Sequence, residues 1–131
     1  MLPLIQKGKF ISCSKKIGTR GNHMTGEQLK LLSKMKKLIV KGNKKFEPRK
    51  DRDYVGELLE IGITESVAWQ EILTLSSYNY VPDYKPFYLK SDSSLVFKKD
   101  INGNRVYIKL KIEEYNNKEM TVCLSFHIDY K

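Results

Sequence analysis

The amino-acid sequence predicts an α+β protein, with helices in the first part of the chain and an antiparallel β-sheet in the last third. Between residues 25 and 75, apolar side chains recur at the three- and four-residue spacing of amphipathic helices. From residue 95 onward they alternate with polar side chains, as in strands that are buried on one face only. Helices followed by a run of strands indicate a sheet that is covered by helices on one side.

Length and composition favour one basic globular domain. The chain has 131 residues, of which 40% are hydrophobic and 30% are charged, and this is sufficient for one hydrophobic core. The net charge of +9 favours encounters with a polyanion, which can be RNA, DNA, an anionic lipid surface or an acidic protein. Because the chain contains no run of about 18 apolar residues, the sequence predicts no membrane-spanning helix and no membrane partner.

The cysteine and histidine content argues against a metal site. Cys13 and Cys123 are far apart and lack the spacing of metal ligands, and the chain has only two histidines. We therefore predict no metal ion and no other cofactor. Cys123 lies in an apolar, strand-like segment, which is typical of a buried thiol. A reduced, cytoplasmic location is the expectation.

The first 24 residues differ from the remainder of the chain. They are rich in basic residues and show little periodicity, so we expect residues 1–24 to form a flexible basic N-terminal extension. Residues 25–131 are expected to form a single domain.

The first helix is predicted from its cap and its apolar stripe. Thr25 and Gln28 form a capping-box pair at its start, and Gly42 is a plausible end. The side chains expected to face the core are Leu29, Leu32, Met35 and Ile39.

Two further helices are predicted after a short extended piece at residues 46–48. Asp51 or Asp53 can cap the second helix, which should end near Gly62. Thr64 can cap the third, whose expected core residues are Val67, Ala68, Ile72 and Leu75.

The segment from residue 76 to residue 92 is loop-like and rich in tyrosine. Aromatic residues such as Tyr80, together with Lys85, can stack on bases and hold phosphates. The alternative is a loop whose tyrosines pack against the domain.

Two turns set the register of the predicted sheet. Asn102-Gly103 is the favoured pair for a two-residue type I′ turn, and this places Lys98 opposite Tyr107. The second connection passes through residues 116–118. Matching apolar side chains there puts each of the following pairs opposite one another: Val122 and Ile112, Leu124 and Leu110, Phe126 and Ile108, His127 and Tyr107, and Asp129 and Arg105.

This register brings Lys98, Tyr107 and His127 into one row on the polar face. Directly opposite Cβ atoms lie about 4.5–5.5 Å apart, so these side chains could converge on one phosphodiester. RNA cleavage without metal needs a base for the 2′-hydroxyl, an acid for the 5′-oxygen and cations for the phosphorane. Histidine titrates near neutrality and suits the acid or base role. Tyr107 can orient the hydroxyl or donate a proton.

The same face carries further cations, which are predicted to bind RNA or stabilise developing charge: Arg105, Lys109 and Lys111. The alternatives are simple ones. His127 and Tyr107 can be an ordinary surface pair, and Arg105 and Asp129 can be a cross-strand salt bridge.

Several segments resemble the MqsR family of toxins from type II toxin–antitoxin systems. In chain order they are MKKLI at 35–39, FEPR at 46–49, EIGIT at 60–64, EIL at 71–73, VFKK at 96–99, NGNRVYIK at 102–109 and VCLSFH at 122–127. Their order and spacing agree with the family from about residue 27 to the C-terminus, and the ordered set is more specific than any single motif.

The resemblance implies a RelE-like α+β fold, in which the N-terminal helices pack on one face of a curved antiparallel sheet. It also implies an endoribonuclease, or mRNA interferase, that cleaves mRNA, free or on the ribosome, and inhibits translation and growth. A cognate antitoxin protein would neutralise it.

The resemblance also implies an active site on the open sheet face. Tyr107 matches the family's strand tyrosine, and His127 stands where better-known members have a basic lysine. Lys98 is the nearest polar residue to a glutamine of the family, and Lys85 is the candidate for its loop lysine. Two other functions stay open: a non-catalytic regulator that binds RNA or DNA, and a protein-interaction module, both using the same basic face.

Overall fold

The structure is a computed structural model that describes residues 24–47, 53–82 and 94–130. The described residues form three α-helices and a four-stranded open sheet, so the predicted mixed α+β class is confirmed. Lys85, Asp51 and residues 1–23 of the predicted extension lie outside the described residues. Met24, at the end of that predicted extension, is buried in the core. No helix among the described residues is long and apolar enough to cross a membrane.

The helices and strands follow one another along the chain with short connections. Their bounds are α1 Gly26–Val40, β1 Lys44–Phe46, α2 Tyr54–Ile61, α3 Glu65–Leu73, a short 3₁₀ helix Ser77–Asn79, β2 Leu95–Ile101, β3 Asn104–Tyr115 and β4 Lys118–Ile128.

Helix α1 begins and ends where the sequence predicts. The Thr25 side chain accepts from the Gln28 backbone N–H, and the Gln28 side chain accepts in return from the Thr25 N–H. Gly42 follows the helix with a φ of 90°. The predicted stripe was wrong at Leu29, which is 47% exposed, whereas Leu38 is buried. The buried residues of α1 are therefore Leu32, Met35, Leu38 and Ile39, and the helix packs against β4.

Helices α2 and α3 are capped by two of the predicted residues. Asp53 accepts from the Val55 N–H and Thr64 from the Val67 N–H, and Gly62 ends α2 in the left-handed conformation that glycine adopts without steric cost. Trp69 of α3 is buried, and its ring centroid lies 4.8 Å from that of Phe46.

The four strands are in the order β1-β4-β3-β2. The pairs β2–β3 and β3–β4 are antiparallel, as predicted for the C-terminal strands, and β1, which was not part of that prediction, pairs with β4 in parallel. Of the extended piece predicted at 46–48, Phe46 is the last residue of this strand, and Pro48 lies outside the described residues. The Phe46 ring stacks on the Tyr54 ring of α2 at 4.9 Å, so this edge strand packs against the helices.

The hairpin β2–β3 has the predicted register in full. Asn102 and Gly103 have φ values of 51° and 79°, as a type I′ turn requires, and Lys98 lies opposite Tyr107. Phe97 and Ile108 face each other in the core, and both are fully buried.

The hairpin β3–β4 follows the prediction only at its C-terminal end. Phe126 lies opposite Ile108 and His127 opposite Tyr107, as expected. Beyond them the register shifts by one, so that Leu110 faces Cys123 rather than Leu124. Leu124 is the extra residue of a β-bulge.

The bulge reverses the predicted faces of the first half of β4. Thr121 and Cys123 lie on the helix-covered face, where the Thr121 hydroxyl donates to the Met35 backbone oxygen at 2.9 Å. Val122 is opposite Lys111, on the face predicted to be polar, although it is fully buried there. The pairings predicted for Val122 and Leu124 were therefore wrong. Cys123 is buried, as predicted, and burial raises the pKa of its thiol.

Candidate active site

The predicted row of Lys98, Tyr107 and His127 lies across three neighbouring strands. Tyr107 of β3 is the Cα partner of Lys98 in β2 on one side and of His127 in β4 on the other. In each strand these residues alternate with core residues such as Ile108, so the row lies on the sheet face that is turned away from the helices. We call these three residues the central row.

The two rings of the central row stack on each other. The centroids of Tyr107 and His127 are 5.3 Å apart, with 21° between the ring planes. The His127 Nδ1 lies 3.0 Å from the Ile128 backbone oxygen. A carbonyl oxygen can only accept, so this contact requires the proton on Nδ1 and leaves Nε2 as the ring atom that can accept one. A neutral ring in this tautomer can accept a proton only at Nε2.

Asp129 holds the third member of the central row. The Lys98 Nζ lies 2.8 Å from the Asp129 Oδ2, and the side chains are 29% and 12% exposed. Because Lys98 is in β2 and Asp129 follows β4, this ion pair reaches across β3 beside Tyr107. The ammonium is therefore held by a carboxylate of the neighbouring row rather than extended freely into solvent.

Arg105 has a different partner from the one considered in the sequence. Its guanidinium lies 3.3 Å from the Asp100 Oδ1 in an exposed pair, whereas Asp129 pairs with Lys98, so the alternative of an Arg105–Asp129 salt bridge was wrong. The register beneath is still the predicted one, since the Asp129 N–H donates to the Arg105 backbone oxygen at 2.7 Å.

The two remaining lysines of β3 lie on the same face, at increasing distance from the central row. Lys109 is half-buried between its strand partners Val96 and Ser125. The Lys111 Nζ is 3.6 Å from a Glu113 carboxylate oxygen, which offsets part of its charge. Lys109 and Arg105 thus flank Tyr107 along β3, each two residues away from it.

Tyr80 is placed in the core rather than on the surface. It is 4% exposed, packs edge to face on Phe97 at 6.0 Å, and its hydroxyl accepts from the Gln28 Nε2 at 2.8 Å. Its ring faces are therefore not available to stack on a base. The predicted alternative, a tyrosine packed against the domain, describes Tyr80, whereas Tyr78 is 82% exposed. Lys85 lies outside the described residues.

A groove opens beside the central row on the side of β2, with a volume of about 250 Å³. Residues 80–82 form one wall, because Tyr80 bridges to Phe97 and the Val81 N–H donates to the Val96 backbone oxygen at 2.8 Å. We call this the β2 groove. It is lined by both apolar and polar residues: Tyr80, Val81, Pro82, Ser94, Val96, Lys98, Tyr107 and Lys109.

The other end of the same sheet face carries acidic groups. The Tyr115 hydroxyl donates to a Glu113 carboxylate oxygen at 2.6 Å, and the Lys45 Nζ lies 4.4 Å from the Tyr115 ring centroid. The hydrogen bond to Glu113, followed by burial and the charges of Glu113 and Glu47, raises the pKa of Tyr115 to about 12. Within 24–47, 53–82 and 94–130, no group of three or more acidic, cysteine or histidine side chains is arranged to hold a metal ion.

Two features of this site were missed in the sequence. The sequence placed Asp129 on the correct face but did not predict its ion pair with Lys98. A strand register pairs only residues that lie directly opposite each other, whereas this ion pair joins residues of two neighbouring rows. The β2 groove depends on residues 80–82 lying along β2, and no turn or periodicity indicated that contact. A scan against models of protein families and searches of curated proteins and of solved structures found no match to this chain.

Proposed function

We propose that this chain is a metal-independent endoribonuclease, an mRNA interferase toxin of the MqsR and RelE-like kind that inhibits translation and growth and is neutralised by a cognate antitoxin. The observation that supports this most is the central row, in which a stacked Tyr107 and His127 lie beside a held ammonium group on a basic sheet face. The sequence resemblance supports the same proposal independently.

The proposed reaction is an attack of the ribose 2′-oxygen on the adjacent phosphorus. The His127 Nε2 accepts the 2′-hydroxyl proton, because Nδ1 already carries one toward Ile128. The new bond from the 2′-oxygen to phosphorus gives a 2′,3′-cyclic phosphate, and the bond to the 5′-oxygen breaks. The leaving oxygen takes a proton from the Tyr107 hydroxyl. Every atom of this step comes from the RNA and the side chains.

Cations stabilise the crowded, negatively charged phosphorane in this scheme. Lys98 is held near Tyr107 by Asp129, and Lys109 is on the next polar position of β3. Preorganised cations at a developing charge contribute a large part of the rate in such sites. Arg105, on the other side of Tyr107 and paired with Asp100, and Lys111, two residues beyond Lys109, would contact neighbouring phosphates.

The test is to induce the whole chain in a bacterial host and to map new 5′-hydroxyl transcript ends, which this chemistry leaves. Wild type is compared with His127→Ala and with Tyr107→Phe, and Tyr78→Phe is the matched control at an exposed tyrosine. We expect new ends and growth arrest with wild type and the control only. Loss of general acid–base catalysis should lower cleavage about 100-fold or more.

New ends that carry 5′-phosphates, or ends that persist at wild-type level in both variants, would contradict the proposal. Purified protein that cleaves RNA only after addition of a divalent cation would contradict its metal-independent form.

The alternative is a non-catalytic regulator that binds RNA or DNA on the same face. The Lys98–Asp129 ion pair favours this alternative, because Asp129 already offsets one of the positive charges that the catalytic scheme uses. If no new ends appear with soluble wild type, this alternative predicts that Lys109→Ala weakens RNA affinity and lowers its salt dependence, with Lys30→Ala as the matched control on α1.

A further inference from the structure

The β2 groove lies next to the central row, and its composition is that of a site for one small amphipathic ligand. Val96 is its floor, between Lys98 along β2 and Lys109 across the strand pair, and Val81 and Pro82 form its outer wall. The groove thus combines apolar side chains with two lysines, of which Lys98 is also paired with Asp129. A ligand that fits has an apolar part and an anionic part.

The size of the groove limits the ligand to one such unit. Its volume of about 250 Å³ is below the roughly 300–1,000 Å³ of pockets for drug-sized ligands. A nucleic acid duplex or a folded protein loop does not enter a space of this size. A single nucleobase with its sugar phosphate does, because its ring can lie against the apolar side chains while its phosphate reaches the cations.

We propose that the β2 groove binds one nucleotide, with its base against Val96 and Pro82 and its phosphate between Lys98 and Lys109. The choice of RNA as the source of that nucleotide rests on the proposed function. The phosphate in this position lies beside Tyr107, so the base in the groove belongs to a nucleotide next to the scissile bond. The groove is then the place where the identity of that base is read.

The direct test uses the wild-type protein and needs no variant. The four nucleoside 3′-monophosphates are titrated into the whole chain with labelled valine methyl groups, and inorganic phosphate and the free nucleosides serve as comparison probes. We expect saturable binding and NMR contacts between base protons and the methyl groups of Val81 and Val96. Binding without such contacts, or no binding at all, overturns the proposal.

A variant that fills the groove gives a second test. Val96→Trp is expected to weaken nucleotide binding about tenfold or more and to leave the binding of inorganic phosphate unchanged. The matched control is Val55→Trp on the exposed surface of α2, which is expected to change neither. Equal nucleotide affinity for folded Val96→Trp and the control overturns the proposal. If Val96→Trp does not fold, Pro82→Gly is used instead. This substitution removes an apolar side chain that lines the groove and is likewise expected to weaken nucleotide binding.

Failure of this proposal and failure of the proposed function give different results. If nucleotides contact Val96 but the protein produces no new transcript ends, the groove proposal stands and the ribonuclease proposal is wrong. If cleavage depends on His127 but no base contacts Val96, the ribonuclease proposal stands and the groove proposal is wrong.

Discussion

The two hairpins of the sheet share the central strand β3 and the same type of turn, yet only one of them is regular. Asn102-Gly103 and Asn116-Asn117 are both two-residue turns with positive φ at each position. In β2–β3 the turn and the apolar pattern specify the same register. In β3–β4 they differ by one residue, and the bulge at Leu124 accommodates the difference.

The comparison shows which constraint is stronger at each end of a hairpin. Next to the turn, the two-residue loop determines the pairing, so Tyr115 faces Lys118 and Leu110 faces Cys123. Farther along, burial of Phe126 against Ile108 determines it, because a one-residue slip would expose the ring. The bulge at Leu124 lies between the part of the hairpin whose pairing is determined by the turn and the part whose pairing is determined by core burial. His127 follows Phe126 and therefore keeps its place opposite Tyr107.

The largest effect is expected from two single-residue deletions, one in each hairpin. Deletion of Asp100 should prevent folding, because the turn would then place Phe97 opposite Tyr107 on the polar face. That loss of core burial costs about 5 kcal/mol or more, which is close to the whole stability of a small domain. Deletion of Leu124 leaves Ser125 opposite Lys109 and should cost only about 1 kcal/mol.

Urea unfolding followed by circular dichroism measures both deletions, and amide NMR spectra report whether the central row persists. Similar losses of stability for the two deletions would show that the bulge does not accommodate a mismatch between turn and core.

The next effect concerns the ion pair that joins the outer strands of the two hairpins. Lys98→Ala should lower RNA cleavage about 100-fold through loss of charge stabilisation, and Asp129→Asn about tenfold through loss of positioning. The double variant should cleave as slowly as Lys98→Ala alone, because Asp129 acts through Lys98. Single-turnover rates test this, and losses that multiply in the double variant would contradict it.

A smaller effect is expected from single substitutions in the two turns. Gly103→Ala should lower the free energy of unfolding by about 1 kcal/mol, since the left-handed conformation strains a side chain. Asn117→Gly should raise it by about 0.5 kcal/mol, because asparagine tolerates this conformation less well than glycine. Thermal unfolding measures both changes, and opposite signs would argue against the assigned turn geometry.

The smallest effect is a pH dependence near the second turn. The pKa of Tyr115 is raised to about 12 by Glu113, above its ordinary value of about 10, so the folded state retains the phenol proton more strongly. The resulting stabilisation is fully present below about pH 10 and is lost as the pH rises toward 12. NMR titration of the Tyr115 ring measures it. Glu113→Gln should return the pKa toward 10, and an unchanged titration would contradict this cause.

Much of the fold was predictable because its signals are local. The cap of α1 needs only Thr25 and Gln28, the end of α2 needs only Gly62, and the first hairpin needs only its turn and alternating residues. Hydrogen bonds over three or four residues and a two-residue period are both present in the sequence itself. The central row follows from these signals, whereas its proposed chemistry and the RelE-like assignment stay predictions.

The remaining features depended on which surfaces meet in three dimensions. The parallel pairing of β1 follows from the packing of Phe46 on Tyr54 and Trp69, and the burial of Tyr80 follows from its contact with Phe97. No short-range pattern specifies such partners, because the residues are far apart in the chain and meet only after the sheet has formed.

The sequence by itself therefore determined the elements, the turns and the row of Lys98, Tyr107 and His127, through local hydrogen bonding and hydrophobic periodicity. Only the tertiary structure decided the bulge at Leu124, the ion pair of Lys98 with Asp129 and the groove beside them. Each of these features arises where two segments that are distant in the chain come into contact. Their arrangement there is determined by side-chain packing and not by the local sequence of either segment.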